Sequence, residues 1–378
     1  MAASETTIVV GSGITGAFTA FLLARRGAPV TVLDGGPGEA QASANNPGGL
    51  NPLYGAGIPG PLAPLALAAF RLHLEHWDEI ARASGADFDP HHKRRLNLAR
   101  DADDVRVLQR MHEIYSATDG FSVRWVEADE LRTIEPRLDP GVTRGLWAEG
   151  DATVESAVYT RAVLATAVDH GATVVALPAE GLEVQGDRVV GVHAAGDVLP
   201  CTGVVVATGP RTDAADWLGV PLPLEPVKGD LLLVEAEGGG VTTDLAWRDV
   251  AVYGTSTDQV WLGGTEEHVG FDTAPSEAAR TSILERVARV VPAMASARVV
   301  RQTTGLRPVT PDGLPIVGPA PGWSNAWLAL GGGRKGMLLS AAMAAATADL
   351  VLDGATALPV IPLGVDRFGA GAVADGAR

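Results

Sequence analysis

The stretch that most constrains this chain is its opening, TTIVVGSGITGAFTAFLLARRGAPVTVLDGG, residues 6–36. Thr7 to Val10 is a short, apolar, β-branched run and reads as a strand. Gly11, Gly13 and Gly16 follow at GxGxxG spacing. Thr15 to Arg25 reads as a helix stopped by Gly27, and Pro29 to Leu33 reads as a second strand ending at Asp34-Gly35. In such a unit Gly11 permits a tight turn and Gly13 lets a pyrophosphate approach the backbone. Gly16 lets helix and strand pack closely. The helix N-terminus around Ser12, Ile14 and Thr15 then offers free N–H groups and the positive end of a dipole to phosphates. Asp34, about 20 residues beyond the loop, is placed to accept hydrogen bonds from ribose hydroxyls. The unit predicts an α/β dinucleotide-binding layer.

The spacing alone serves NAD and FAD alike. After Asp34 the chain departs from regular strand–helix alternation into a loop rich in glycine and proline, with no charge between Glu39 and the apolar helix that begins near Leu65. So uncharged a loop predicts packing against something large and flat, and a flavin ring fits. Two more strand–turn units return to the same layer. VVVATGP runs from Val204 to Pro210, and Thr208-Gly209 breaks its strand. WLALGGGRKGMLL begins at Trp327 and passes from a strand through Gly331, Gly332 and Gly333 into a small-residue helix from Lys335 to Leu352. The second unit aims another helix N-terminus, around Arg334, Lys335, Gly336 and Met337, at an acceptor such as a flavin carbonyl.

Charge and cysteine narrow the partners. A net charge of −16 repels phosphate backbones and makes nucleic acid a poor general partner. The single cysteine, Cys201, sits in strand-like surroundings and reads as a buried, inert thiol; one cysteine is too few for a disulfide or a zinc site. The N-terminus lacks a basic region and a cleavage site, and no window of about 18 residues is purely apolar. The expectation is a cytoplasmic protein with no membrane span and no metal. Its assembly into a homo-oligomer is left open.

Residues 85–145 and 221–300 do not fit the nucleotide layer. VKGDLLLVEAE, DVAVYGTS and QVWLGGTEEHVGF alternate apolar and polar residues as antiparallel strands do. The HHKRR run, His91 to Arg95, reads as a solvated edge, with an anion or tRNA patch as the alternative.

Together VVGSGITG with Asp34, SANNPGGLNP, VVVATGP, VKGDLLLV, LGGT, GLRPVTPDGLPIVG and LGGGRKGMLLSAAMA resemble the D-amino-acid oxidase-like family of FAD-dependent oxidoreductases, near the glycine oxidases, sarcosine oxidases and D-amino-acid dehydrogenases. The resemblance implies a two-domain α+β protein. A Rossmann-like FAD-binding domain would comprise residues 1–84, 146–220 and 301–378, and a mostly antiparallel substrate domain residues 85–145 and 221–300. It implies FAD contacts at Gly11 to Gly16, Asp34-Gly35, Ser43-Ala44, Gly48 to Leu50, Thr208-Gly209 and Gly331 to Met337, and near Glu180 in LPAEGLEV. Cys201 lies away from the region where sarcosine oxidases attach flavin, so noncovalent FAD is expected.

The resemblance also implies the chemistry. In Gly-Leu-Arg-Pro, Arg307 would bind a substrate carboxylate over the flavin, since a guanidinium is permanently charged and bidentate; pairing with an internal acid is the alternative. Arg334 and Lys335 are further positioning candidates. Tyr253 is expected either to close over the substrate or to serve as a packing aromatic. The implied reaction is oxidation of a C–N bond in a small amino acid or secondary amine by hydride transfer to flavin N5. Water would hydrolyse the imine, and dioxygen or another acceptor would take the electrons. A tRNA wobble-uridine modifying oxidase and a noncatalytic flavin subunit of a heteromeric oxidase are the competing readings.

Overall fold

Strands that are apolar throughout belong in a sheet covered on both faces, because alternate side chains point to opposite sides and both must find a core. The computed structural model of the protein describes residues 6–36, 41–241, 243–255 and 257–369, so the ends of the expected FAD-binding spans, 1–5 and 370–378, lie outside the described residues. Thr7–Val10 and Gly203–Val206, buried at every position, form the middle of a six-stranded sheet. The order is Ile316–Pro319, Ala326–Leu330, Gly203–Val206, Thr7–Val10, Val30–Leu33, Thr173–Val175. All neighbours run parallel except the Ile316–Pro319 edge, which is antiparallel.

The alternation decides what covers each face. Val9, Val32 and Val205 join one core with the helices Ile14–Arg25, Ala63–Ser84, Ser156–Asp169 and Gly336–Asp353. Ile8, Val10, Val204 and Val206 join another with the three-stranded meander Gly181–Gln185, Arg188–Ala194 and Asp197–Pro200. Small residues let the helices come close. Ala17 and Ala20 of the first helix and Ala341, Ala344 and Ala348 of the last are essentially inaccessible. The last helix is long and apolar enough to cross a membrane, but most of that stretch is buried, packed against the first helix and Ala63–Ser84.

The second sheet has nine strands. The main path is Arg298–Val309, Glu225–Glu235, Gln259–Gly263, Val250–Gly254, Asp244–Trp247, His91–Ala99, Arg144–Thr153 and Gly49–Leu50, with Ser122–Glu127 also paired to Arg144–Thr153. Only Asp244–Trp247 beside His91–Ala99 is parallel. The helix Glu277–Ala288 backs this sheet, with Ile283 and Val287 packed on Leu232, Val252, Val260 and Leu262. The period of two therefore turns Leu231, Ala251, Tyr253 and Gly263 to the opposite side, toward the first sheet.

The seams expected at 145/146 and 300/301 fall inside Arg144–Thr153 and Arg298–Val309, and both strands lie in the nine-stranded sheet. The local pattern of a strand shows that one face is buried. It does not say which sheet receives the strand.

Candidate active site

The first sheet delivers four strand ends, at Val10, Leu33, Val206 and Leu330, to one edge. The near face of the second sheet stands opposite. Between them lies a cavity of 1670 Å³. A site for one small ligand measures roughly 300–1,000 Å³, so this space suits an extended ligand together with a second, small one. Its position, outside the carboxyl ends of parallel strands, is where open α/β sheets bind nucleotides.

At one end the lining comprises Gly11, Ser12, Gly13, Ile14, Thr15, Asp34 and Gly35. Gly11 has φ +103°, and a Cβ there would stand 2.5 Å from the Ala207 carbonyl oxygen. Gly16 does not line the cavity. A Cβ on it would meet the Gly11 carbonyl oxygen at 1.9 Å, so its part is the close packing of helix on turn. The first helix carries no acid in its first turn, which leaves its dipole available to an anion. Asp34 Oδ2 accepts from the Ser12 N–H at 3.0 Å and from the Ser12 hydroxyl, and Oδ1 accepts from the Gly36 N–H at 2.9 Å. The carboxylate is thereby fixed at the strand end.

Ser43 and Gly49 line the middle of the cavity with Thr208 and Gly209. Ser43 Oγ accepts the Ile14 N–H at 3.0 Å, so a residue of the glycine-rich loop caps the nucleotide-side helix. Ala44, Gly48 and Leu50 do not line the cavity; Leu50 is fully buried and pairs with Ala152 of the second sheet. Glu180 lies away from the lining too. Its N–H donates to the His193 carbonyl within the meander, and the cavity instead meets Pro178 and Ala179. Cys201 is buried outside the cavity, and burial pushes its thiol pKa up to about 11.

Gly331, Gly332 and Gly333, Arg334, Lys335, Gly336 and Met337 form the other end, where the last helix begins, again with no acid in its first turn. Lys335 is not a free cation. Its Nζ donates to the carbonyls of Asn51 at 3.0 Å and Tyr54 at 2.9 Å, and burial, then Arg95, lowers its pKa to about 8. It ties the helix to the glycine-rich loop.

Arg307 extends from Arg298–Val309 across the neighbouring strand. A Cβ on Gly229 would stand 2.1 Å from its Nη1, so only glycine leaves that path open. Nη1 donates to the Thr265 carbonyl at 3.0 Å. Among the described residues Arg307 forms no ion pair, and burial lowers its pKa. Arg334 pairs with Glu266 at 3.3 Å. Tyr253 lines the cavity with these arginines and Arg95 and feels the charge of all three. Burial raises its phenol pKa, while Arg95, Arg334 and Arg307 all act to lower it.

The sequence reading missed Arg95 and Glu266. The HHKRR run opens a strand inside the second sheet: His91, His92 and Arg94 are exposed, as a solvated run requires, while Lys93 and Arg95 are partly buried. Lys93 and Arg95 share Asp244, at 3.1 and 3.8 Å, and Arg95 with Asn97 lines the cavity. Burial opposes the charge on Arg95, but Asp151 and Asp244 more than offset it and raise its pKa. Strand alternation within the run was the available signal. Glu266 follows the LGGT turn, where nothing local marks it.

A glycine-bearing turn beside a fixed acid, a second such turn at the far end of the cavity, two helix starts with no acid in their first turns and an uncharged loop between them fit a dinucleotide whose second half is a flat, weakly polar ring, as in FAD. The fold and this cradle define a flavin-dependent oxidoreductase. The chain belongs to the DAO family of FAD dependent oxidoreductases, whose pattern matches residues 6–350. Among curated relatives it is 28% identical to glycine oxidase of Pseudomonas aeruginosa over 364 residues, covering 92% of this chain and 95% of that one. It is 29% identical to glycine oxidase of Geobacillus kaustophilus over 369 residues, covering 95% and 96%. The crystal structure of the Geobacillus kaustophilus glycine oxidase superimposes with a TM-score of 0.88 at 26% identity, covering 96% of this chain and 99% of that one.

Proposed function

We propose that the protein oxidises the C–N bond of a small amino acid or secondary amine, with Arg307 holding the substrate carboxylate. The observation that carries this reading is the state of Arg307: it faces the cavity, burial lowers its pKa, and no acid among the described residues pairs with it. A desolvated cation without a partner is costly. A ligand carboxylate offsets that cost and matches the two-pronged guanidinium. The relatives named glycine oxidase support the same substrate class.

FAD, when bound, supplies the hydride acceptor. The remaining work is positioning. Gly229, Ala246, Ala251 and Gly263 make a floor of small residues beside Arg307 and Tyr253, which suits a small substrate. Arg307 fixes the carboxylate and so the direction of the adjacent C–H bond. Tyr253, with its phenol pKa raised by burial, stays protonated and can donate a hydrogen bond. Ser12, Asp34 and the two helix starts would hold the nucleotide, and Lys335 fixes the loop at the flavin end.

The test is anaerobic flavin bleaching by glycine, sarcosine, D-amino acids and L-proline, followed by hydrogen peroxide detection in air. At least one amine should bleach the flavin, and peroxide would identify dioxygen as the acceptor. An FAD-loaded protein that none of them reduces would refute the reading.

A further inference from the structure

We infer that Glu266 receives the cationic nitrogen of the substrate, so that the site selects zwitterions with a single carboxylate. The inference rests on the reading of Arg307 as the carboxylate anchor.

The backbone sets Glu266 in place. It follows Thr265, whose carbonyl holds Arg307 Nη1 at 3.0 Å. Thr265 is fixed by the Asp230 N–H, which donates to its Oγ1 at 3.0 Å, and by its own hydroxyl, which bonds Glu267 Oε1 at 3.0 Å. Glu267 is fixed by two backbone bonds with Lys228, at 3.0 and 2.9 Å. Both neighbours are pinned to the sheet, and Glu266 itself lines the cavity. Its carboxylate is the strongest charge influence on Arg307, ahead of Arg334 and Asp230.

The other acids lining the cavity, among the described residues, are placed or engaged elsewhere. Asp34 is held by Ser12 and Gly36 at the nucleotide end. Asp104 accepts from Trp247 and Arg248, and Asp249 from Arg286. Asp213 precedes the short helix Ala214–Leu218 beyond Thr208-Gly209. Glu266 is the acid beside the two arginines.

Placement gives the selectivity. Glu266 lies beside the carboxylate anchor, and Arg307 feels it more than any other charge. An ammonium on the adjacent carbon then meets the acid, whereas a second substrate carboxylate would be repelled by it. Pinning Arg334 is a weak reason for the acid, because the two side chains are 57% and 45% exposed and pairs this open contribute little.

Isosteric ligands test this on the FAD-loaded enzyme. Glycine and propanoate differ by an ammonium against a methyl group, and sarcosine and butanoate by a secondary ammonium against a methylene. Dissociation constants come from perturbation of the flavin absorbance, or from saturation of anaerobic flavin reduction where the amine reacts. The wild type should prefer each amine over its isostere, and Glu266→Gln should cut that preference about tenfold or more while propanoate binds as well or better. The pH limb of kcat should also move to lower pH in Glu266→Gln, because the bound ammonium loses an acidic neighbour. Equal weakening of both ligands would show a structural role, and equal tightening would show an acid that merely competes for the arginines; either overturns the inference. A wild type that binds propanoate but prefers no amine sinks this inference alone. A wild type that binds no carboxylate sinks it together with the reading on which it rests.

Discussion

Replacing Arg307 separates ligand binding from folding in a way that few active-site changes do. In the folded protein its guanidinium makes a hydrogen bond to the Thr265 carbonyl and no ion pair among the described residues, and burial disfavours its charge. Truncating one partner of a desolvated charge pair costs about 2–5 kcal/mol. Arg307→Ala should therefore weaken a bound carboxylate by about 30-fold to several thousand-fold. Arg307→Lys keeps the charge but loses the planar fork and should fall between. Stability should behave differently. Losing one hydrogen bond, about 1 kcal/mol, is opposed by relief of an uncompensated charge, so the FAD-free protein should unfold within about 1 kcal/mol of the wild type. The assays are propanoate titration by flavin absorbance and denaturant unfolding of the FAD-free protein. An unchanged dissociation constant would refute the carboxylate role. A stability loss of about 3–5 kcal/mol, as for a broken buried ion pair, would show that Arg307 serves an internal acid instead.

Gly13→Ala should leave the FAD-free protein folded and weaken FAD, because a Cβ there meets only Ser43 Oγ, at 3.3 Å, on the side a pyrophosphate approaches; Gly16→Ala should lower the melting temperature even without FAD, because its Cβ would stand 1.9 Å from a backbone oxygen. Ser43→Ala should cost about 0.5–2 kcal/mol by uncapping Ile14, read as a lower melting temperature and faster FAD loss. Burial lowers the Lys335 pKa to about 8 from the usual 10.5, so the unfolded chain binds more protons between those values and stability should rise with pH across that window. Lys335→Met should abolish that rise, as measured by denaturant unfolding at pH 7.5 to 10.5.

What could be read from the sequence was what the backbone demands locally. The turn at Gly11 needs a positive φ, Gly16 tolerates no side chain, and Asp34 closes a mostly buried, apolar strand, so each leaves a mark within a few residues. Arg307 stood out through a resemblance spread over a proline-flanked segment. Glu266 left no such mark, and Arg95 left only the alternation of its strand. Arg95 faces the cavity because His91–Ala99 pairs with strands far away in sequence, at Asp244–Trp247 and Arg144–Thr153, and Glu266 does so because Lys228 and Asp230 hold its neighbours. The same non-local pairing put Arg144–Thr153 and Arg298–Val309 wholly in the second sheet. Glu180 missed the lining by one residue, where the chain leaves Ala179 for the meander and a local motif carries no register.

The loop after Asp34 is sewn to both layers. Gln41 bridges to Leu306, Ser43 caps the first helix, Ser156 Oγ donates to the Asn46 carbonyl at 2.8 Å, Leu50 pairs with Ala152, and Lys335 grips Asn51 and Tyr54. A clasp fastened at so many points cannot swing aside as a simple lid. Opening it to let a dinucleotide in or out disturbs an edge strand of one sheet and a helix start in the other layer at once. FAD exchange that required this opening would share the energetic cost of partial unfolding. Its rate should climb as steeply with temperature and denaturant as unfolding does, and cofactor retention becomes a property of the whole fold.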